Sequence, residues 1–293
     1  MRLKLFGFLL IVVTLLAAGL LPPVFPIVRS SNATVQAEGV AFLYLDKWGG
    51  NVGTVVTLRG RGFTPGKVII FSYSFGIFTE TLASEFADAN GDCNVSLTIP
   101  PSSRGINYIV ARNDAGQSAT AAFTVIPALQ MTSQIVTVGD ELRITGTGFV
   151  IGDEVVAAIN GLTVARALVA NTGTFIAIFK VPSLSAGVNI VDIHDTTGDI
   201  RWLELNVSSK LSVNKIYGEV GVRVTLTGNG FNAGARVQIK WDSTVVDTTA
   251  ADTGGRFSVG FTLPVSSAGY HIISVTDGVN TQQVTFTIES VHP

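Results

Sequence analysis

Apolar and polar residues alternate one by one along many short segments of the chain. In the segment 222–227, Val222, Val224 and Leu226 alternate with an arginine and two threonines. The same alternation runs through 257–263 and stops at Pro264. A period of two is typical of a β-strand with one buried face. Because no stretch after residue 37 keeps a helical period, the pattern predicts an all-β protein.

One short glycine-rich motif occurs three times between such segments. It reads Gly-x-Gly-Phe-x-x-Gly at Gly60–Gly66, Gly146–Gly152 and Gly228–Gly234. Glycine adopts backbone angles that other residues find costly, so the motif predicts a tight connection between two strands. It holds no nucleophile or metal ligand, which indicates an architectural role.

The surroundings of the motif repeat with it at one fixed interval. Pro100, Pro182 and Pro264 are evenly spaced, since 182 − 100 and 264 − 182 are both 82. A period this long indicates repeated domains, because solenoid repeats are about 20 to 50 residues long. Each repeat contains six or seven predicted strands, which favours an immunoglobulin-like β-sandwich. The sequence therefore predicts three tandem sandwiches, over residues 38–127, 128–208 and 209–293.

The N-terminus has the pattern of an export signal. Arg2 and Lys4 precede an apolar run, Leu5–Leu21, and Val35-Gln36-Ala37 is a candidate cleavage site. This order of a basic, an apolar and a small-residue region is typical of a secretory signal peptide. We therefore expect residues 1–37 to be removed and the protein to be secreted or held at the cell surface. The alternative is an uncleaved N-terminal anchor, which would be the one membrane contact of the chain.

Charge and cysteine content limit the classes of partner. The chain carries 19 basic and 21 acidic residues. Loss of residues 1–37 removes three of the basic ones, which leaves 19 − 3 = 16 and a net charge of −5. Nucleic-acid binding needs a basic surface, so no nucleic-acid partner is expected. Cys93, the one cysteine, takes a core position that Phe175 and Phe257 hold in the other repeats, which predicts a structural thiol.

Candidate catalytic and metal-binding residues do not form a recognisable motif. The segment Asp88–Asp92 resembles the start of a calcium loop, but the twelfth position, which needs glutamate, is Ile99. A polar turn is therefore predicted there. His194, His271 and His292 lie in different contexts and match no zinc or hydrolase pattern. We expect no cofactor, no bound metal and no enzymatic activity.

Taken together, the order of motifs resembles the IPT/TIG-type immunoglobulin-like repeats of prokaryotic surface and secreted proteins. The resemblance covers roughly residues 40–288, with one departure at Asn171-Thr172-Gly173, where the aspartate of the other repeats is replaced. It implies sandwich modules in tandem that serve as spacers, adhesive surfaces or accessory modules beside catalytic domains.

Trp202 is the one candidate ligand-binding residue. Leu203, Leu205 and Val207 should face the core, so alternation turns Trp202 outward. An exposed indole offers a large rigid surface to a partner or a sugar ring. Alternatively, it lies against the neighbouring repeat or is simply exposed. Trp241 shares a face with apolar neighbours and is predicted to pack in a core.

The sequence thus predicts a non-catalytic exported protein with a structural or adhesive role at the cell envelope. Its partner would be a protein or a glycan at the cell surface. Two alternatives remain: a carbohydrate- or ligand-binding accessory module, and a self-assembling envelope subunit.

Overall fold

The computed structural model describes residues 40–290, which form 24 strands without a helix. The predicted signal segment, residues 1–37, lies outside the described residues. Within residues 40–290, no helix is long and apolar enough to cross a membrane.

Domain 1 consists of eight strands in two sheets. They are β1 (Phe42–Leu45), β2 (Gly49–Gly50), β3 (Val55–Arg61), β4 (Val68–Phe75), β5 (Phe78–Phe86), β6 (Cys93–Thr98), β7 (Gly105–Asn113) and β8 (Ser118–Val125). One sheet has the order β1-β3-β6, and the other has the order β2-β8-β7-β4-β5.

Domain 2 repeats this arrangement. Its strands are β9 (Ala128–Met131), β10 (Ile135–Thr137), β11 (Glu141–Thr147), β12 (Glu154–Ile159), β13 (Leu162–Leu168), β14 (Phe175–Lys180), β15 (Gly187–Asp195) and β16 (Ile200–Ser208). The sheet orders are β14-β11-β9 and β10-β16-β15-β12-β13.

Domain 3 has the same topology. Its strands are β17 (Lys210–Val213), β18 (Tyr217–Gly218), β19 (Arg223–Asn229), β20 (Arg236–Trp241), β21 (Thr244–Ala250), β22 (Phe257–Thr262), β23 (Gly269–Thr276) and β24 (Thr281–Ile288). The sheet orders are β17-β19-β22 and β18-β24-β23-β20-β21.

The prediction of three tandem immunoglobulin-like sandwiches is confirmed, but each domain has eight strands instead of six or seven. The added strands are of two kinds. The very short β2, β10 and β18 pair in parallel with the last strand of their domain. The edge strands β5, β13 and β21 are half-buried or exposed along their length, so they lack the alternation that reveals a strand in sequence.

Each domain encloses its own core between the two sheets. The inward residues of the alternating segments are buried, as at Leu142 and Ile144 in β11. The phenylalanine of the glycine motif is also fully buried in each repeat. Phe149 meets the ring of Phe175 edge-on at 4.9 Å, a favourable arrangement for two aromatic rings. Packing of apolar side chains therefore holds the two sheets of each domain together.

The first glycine of each motif has a different role from the one predicted. Gly228 lies within β19 and does not have a positive φ, so its backbone angles do not require glycine. A Cβ atom there would overlap the ring of Phe257. The second glycine, such as Gly230 with a φ of 70°, does need the left-handed region. The motif thus combines a packing glycine with turn glycines.

Short junctions join the domains end to end. Ile126 and Pro127 separate β8 from β9, and Ser209 alone separates β16 from β17. At the first junction, the carbonyl of Ser102 lies so close to Gly173 that any side chain there would overlap it. At the second junction, the backbone N–H of Ala233 donates a hydrogen bond to Ser185 Oγ at 3.0 Å.

Candidate functional site

Trp202 points outward from β16, as the alternation predicts. Its side chain and backbone together are 69% exposed, whereas Leu205 and Val207 on the opposite face are buried. Leu203 is half-buried and packs against the core of domain 2. The indole is therefore free of the core and accessible from solvent.

Strand pairing places specific side chains beside the indole. Trp202 lies opposite Asp192 of β15, and Asp192 lies opposite Ala158 of β12. Two residues along β16 in either direction, Ile200 lies opposite His194 and Glu204 lies opposite Ile190. We call this outer patch the Trp202 surface, made of Ile190, Asp192, His194, Ile200, Trp202 and Glu204.

The Trp202 surface combines apolar area with hydrogen-bond acceptors. Asp192 Oδ2 lies 3.2 Å from His194 Nδ1, so the imidazole orients the carboxylate beside the indole. Glu204 adds a second exposed carboxylate on the same strand as Trp202. Such a surface can stack against a flat apolar face while it accepts hydrogen bonds from hydroxyl or N–H groups.

The fold itself does not require these residues. The position of Trp202 is held by Thr120 in domain 1 and Gln283 in domain 3, which lie at the same register position. The position of Asp192 is likewise held by Val110 and Ser274. Domains 1 and 3 therefore reach the same fold without this combination.

The structure also reveals a charged contact between domains 1 and 2 that was not predicted. Arg104 Nη1 lies 3.1 Å from Asp195 Oδ2 and 2.9 Å from Asp199 Oδ2. Its Nη2 donates a hydrogen bond to Thr197 Oγ1 at 2.6 Å. One guanidinium thus spans the turn between β15 and β16, in the geometry that suits arginine.

The Asp195 carboxylate is fully buried but remains charged. Burial raises its pKa, but hydrogen bonds from Thr197 and Asp199 and the charge of Arg104 outweigh burial. The pKa of Asp195 is therefore lowered below its ordinary value. A repeat comparison could have identified this contact, because the positions of Arg104 in the other repeats, 82 and 164 residues later, hold Ala186 and Ala268.

Cys93 and Asp88, which were also considered from sequence, lie away from the Trp202 surface. Cys93 is buried against Gly60, and burial raises the pKa of its thiol, which fits the predicted structural role. Asp88 closes the predicted turn by accepting hydrogen bonds from the N–H groups of Asn90 and Asp92. Over residues 40–290, no group of three or more His, Cys, Asp or Glu residues could hold a metal ion.

The three histidines do not come together. His194 lies on the Trp202 surface, whereas His271 lies in domain 3 and stacks on Trp241 at 4.8 Å between ring centres. His292 lies outside the described residues. Trp241 is buried and contacts Phe286, so its predicted place in a core is confirmed.

No protein-family model and no curated protein matches the chain. Among solved structures, it is similar to a tetra-tandem repeat in the extending region of a large adhesion protein. That pair has 15% identity and a TM-score of 0.30, over 86% of this chain and 74% of the other.

Two further solved structures are similar at comparable levels. One is invasin, a bacterial integrin-binding protein, with 14% identity and a TM-score of 0.27, over 85% of this chain and 60% of invasin. The other is the Bacteroides ovatus mixed-linkage glucan utilization locus protein SGBP-B, with 13% identity and a TM-score of 0.26, over 84% and 66%. With TM-scores of this size, these similarities carry no inference about this chain.

Proposed function

We propose that the chain is an exported, non-catalytic protein with a structural or adhesive role at the cell envelope, built from IPT/TIG-type domains. The observation that carries this proposal is the direct bonding at both domain junctions. Arg104 joins domain 1 to domain 2, and Ser185 accepts a hydrogen bond from domain 3. Domains fixed in this way hold their outer faces at set distances from one another, as a spacer or an adhesive protein requires.

Export follows from the N-terminal pattern. In this proposal, residues 1–37 are cleaved as a signal peptide, and the domains extend over 38–127, 128–208 and 209–293. A surface rich in small polar residues suits domains that face solvent.

A second candidate function is that of a ligand-binding module, which the Trp202 surface favours. Sugar hydroxyl groups can donate hydrogen bonds to the Asp192 and Glu204 carboxylates while the ring stacks on the indole. A protein surface with exposed donors could use the same groups. In either case the partner is a glycan or a protein at the cell surface, and Trp202 is its main contact.

Attachment of intact cells tests the adhesive role. We expect cells that lack the chain to lose attachment to their natural surface, and the full chain to restore it. Restoration should fail with Trp202→Ala but succeed with Trp48→Ala, a matched control because Trp48 is exposed on domain 1.

Other outcomes would redirect the proposal. Equal attachment with and without the chain would contradict an adhesive role. Concentration-dependent polymers in sedimentation would instead favour a self-assembling envelope subunit. Full restoration by Trp202→Ala would leave the tandem-domain role in place but exclude the Trp202 surface from it.

A further inference from the structure

The outer face of the three-stranded sheet of domain 1 carries an unusual set of side chains. Phe42 and Tyr44 on β1 are each 53% exposed, and Arg59 and Arg61 on β3 are also exposed. In β1 and β3, the intervening residues Leu43 and Gly60 turn inward. Two aromatic rings and two guanidinium groups thus share one solvent-facing surface.

Strand register brings these four residues together as two direct pairs. Phe42 lies opposite Arg61, and Tyr44 lies opposite Arg59. Side chains opposite each other across antiparallel strands have Cβ atoms about 4.5–5.5 Å apart. Alternate residues on one strand lie about 6.8 Å apart. The third strand extends the Tyr44 row, because Asn94 lies opposite Arg59.

The arginines differ in how far their charge is already neutralised. Arg61 Nε lies 3.8 Å from Asp92 Oδ2, and both side chains are largely exposed, so this ion pair is weak. Arg59 makes no ion pair within residues 40–290. The surface therefore offers at least one guanidinium to an external anion.

A depression of about 520 Å³ lies on this face. It is lined by Tyr44, Leu45, Asp46, Thr57, Arg59 and Arg61. The one acidic residue among these six is Asp46, whose Oδ1 accepts a hydrogen bond from the Thr57 N–H at 2.8 Å. The depression therefore brings one aromatic ring, that of Tyr44, together with the two arginines.

The corresponding faces of the other domains lack this combination. The aromatic positions hold Ala128 and Gln130 in domain 2, where the arginine positions hold Thr145 and Thr147. Domain 3 has Lys210 and Ser212 opposite Asn229 and Thr227. Since all three sheets pair in the same register, folding does not account for the aromatic–arginine set.

We propose that this face of domain 1 binds an acidic glycan, a polysaccharide whose sugar units carry carboxylates. Phe42 and Tyr44 stack against the apolar faces of sugar rings. Arg59 holds a carboxylate through paired N–H donors, with Arg61 as a second, partly neutralised contact. Asn94 is placed to bond sugar hydroxyl groups.

The observations favour a glycan over an acidic peptide. A peptide strand added to the edge strand β1 would bind through backbone groups and would not need the side chains of this outer face. The ligand must also cover two neighbouring rings and a carboxylate contact at once, which suits a chain of acidic sugars. This inference rests on the proposed function only for exposure outside the cell, and it uses no residue of the Trp202 surface.

Direct binding to the purified full chain tests the proposal. The probes are oligogalacturonate, a neutral oligogalactoside and an oligoglutamate peptide, each titrated by calorimetry at low and at raised salt. We expect oligogalacturonate to bind much more tightly than the other two and to weaken as salt screens the charges. Arg59→Ala should weaken it by about tenfold or more, the effect of one lost charged hydrogen bond.

The variants separate this site from general charge effects. Tyr44→Ala should also weaken binding, and Arg59→Lys should restore part of it. Arg143→Ala is the matched control, an exposed arginine on the same face of domain 2, and should leave binding unchanged. In a chain that carries Trp202→Ala, Arg59→Ala should still weaken binding, which separates this site from the Trp202 surface.

Three results would overturn the proposal. The first is equal affinity of Arg59→Ala and the unaltered chain for oligogalacturonate. The second is equal affinity for the neutral oligogalactoside, which would remove the role of charge. The third is tighter, Arg59-dependent binding of oligoglutamate, which would assign the face to an acidic protein partner.

Discussion

His271 Nδ1 lies 2.8 Å from Asp242 Oδ2, while its Nε2 lies 2.9 Å from the carbonyl oxygen of Ser267. A carbonyl and an ionised carboxylate can only accept, so both ring nitrogens must donate, which requires the imidazolium form. The hydrogen bond to Asp242 and then that to Ser267 raise the pKa of His271 above its ordinary 6.5. In domain 2, Asn160 Nδ2 donates to Asn189 Oδ1 at the same two positions.

This pair predicts a pH dependence of stability in the near-neutral range. Because the folded pKa of His271 is raised, its contribution is complete below about pH 6.5 and is lost as the pH rises through the folded pKa. The free energy of unfolding should therefore fall with pH in that window. Chemical denaturation of the full chain at a series of pH values measures it.

The test is to replace His271 by asparagine, the residue that domain 2 has at the same position. His271→Asn should flatten the fall in stability above pH 6.5, and His194→Asn should leave it in place. Hydrogen bonds from the Ile272 N–H and then from His271 lower the pKa of Asp242. The pair is therefore lost again only at low pH, as the pH falls through that lowered pKa and the carboxylate becomes protonated. Identical pH profiles for His271→Asn and the unaltered chain would contradict this account.

Removal of Arg104 should loosen the first junction. Arg104→Ala leaves the buried Asp195 without its cation, although Asp195 keeps the hydrogen bonds from Thr197 and Asp199. We expect a loss of about 1–3 kcal/mol, the usual effect of losing hydrogen bonds to a charged group. The distribution of distances between spin labels on domains 1 and 2 should broaden.

Arg166→Ala is the matched control for the junction. Arg166 pairs with Glu154 at 2.9 Å on the exposed surface of domain 2, so its loss should change stability by less than about 1 kcal/mol. It should leave the spin-label distances unchanged. An unaltered distance distribution in Arg104→Ala would show that the ion pair does not fix the junction.

Gly228→Ala should destabilise domain 3 by overpacking. A Cβ atom there overlaps the ring of Phe257, so we expect a loss of about 1–3 kcal/mol. With Phe257→Leu added, the total loss should be smaller than the sum of the two single losses, because the sites are in contact. Gly218→Ala is the control, since its Cβ would lie 3.7 Å from its nearest neighbours. If Gly228→Ala left the free energy of unfolding unchanged, the packing role would be contradicted.

The two tryptophans should respond in opposite ways to alanine substitution. Trp202→Ala should change the free energy of unfolding by no more than about 0.5 kcal/mol, because the side chain lies on the surface. Trp241→Ala should lose about 3–5 kcal/mol, because a buried ring leaves a cavity. Thermal or chemical denaturation measures both. A large loss in Trp202→Ala would show that the indole packs against its domain.

Local pattern predicted the sheets well because burial on one face imposes a period of two. The segment Val222–Thr227 and the inward set of Leu205 and Val207 follow that rule, and the outward direction of Trp202 followed from it. The edge strand β5 escaped prediction because both its faces remain partly exposed. Alternation carries information only where one face is buried.

Contacts between distant segments could not be predicted in this way. Arg104 and Asp195 meet because the end of domain 1 lies against a turn of domain 2. Likewise, the role of Gly228 depends on a ring that pairing places across from it. The alternation of residues within one strand says nothing about which residues of another strand or domain it will contact. A comparison of equivalent positions in the repeats would nevertheless have singled out Arg104.

Accessibility of the chain on intact cells tests the central claim, that this is an exported protein of the cell envelope, most directly. Intact cells are treated with a protease that cannot enter them, and an antibody against domain 3 follows the chain before and after lysis. The account predicts that the protein is lost from intact cells or found in the medium. A chain that survives on intact cells and is degraded only after lysis would contradict it.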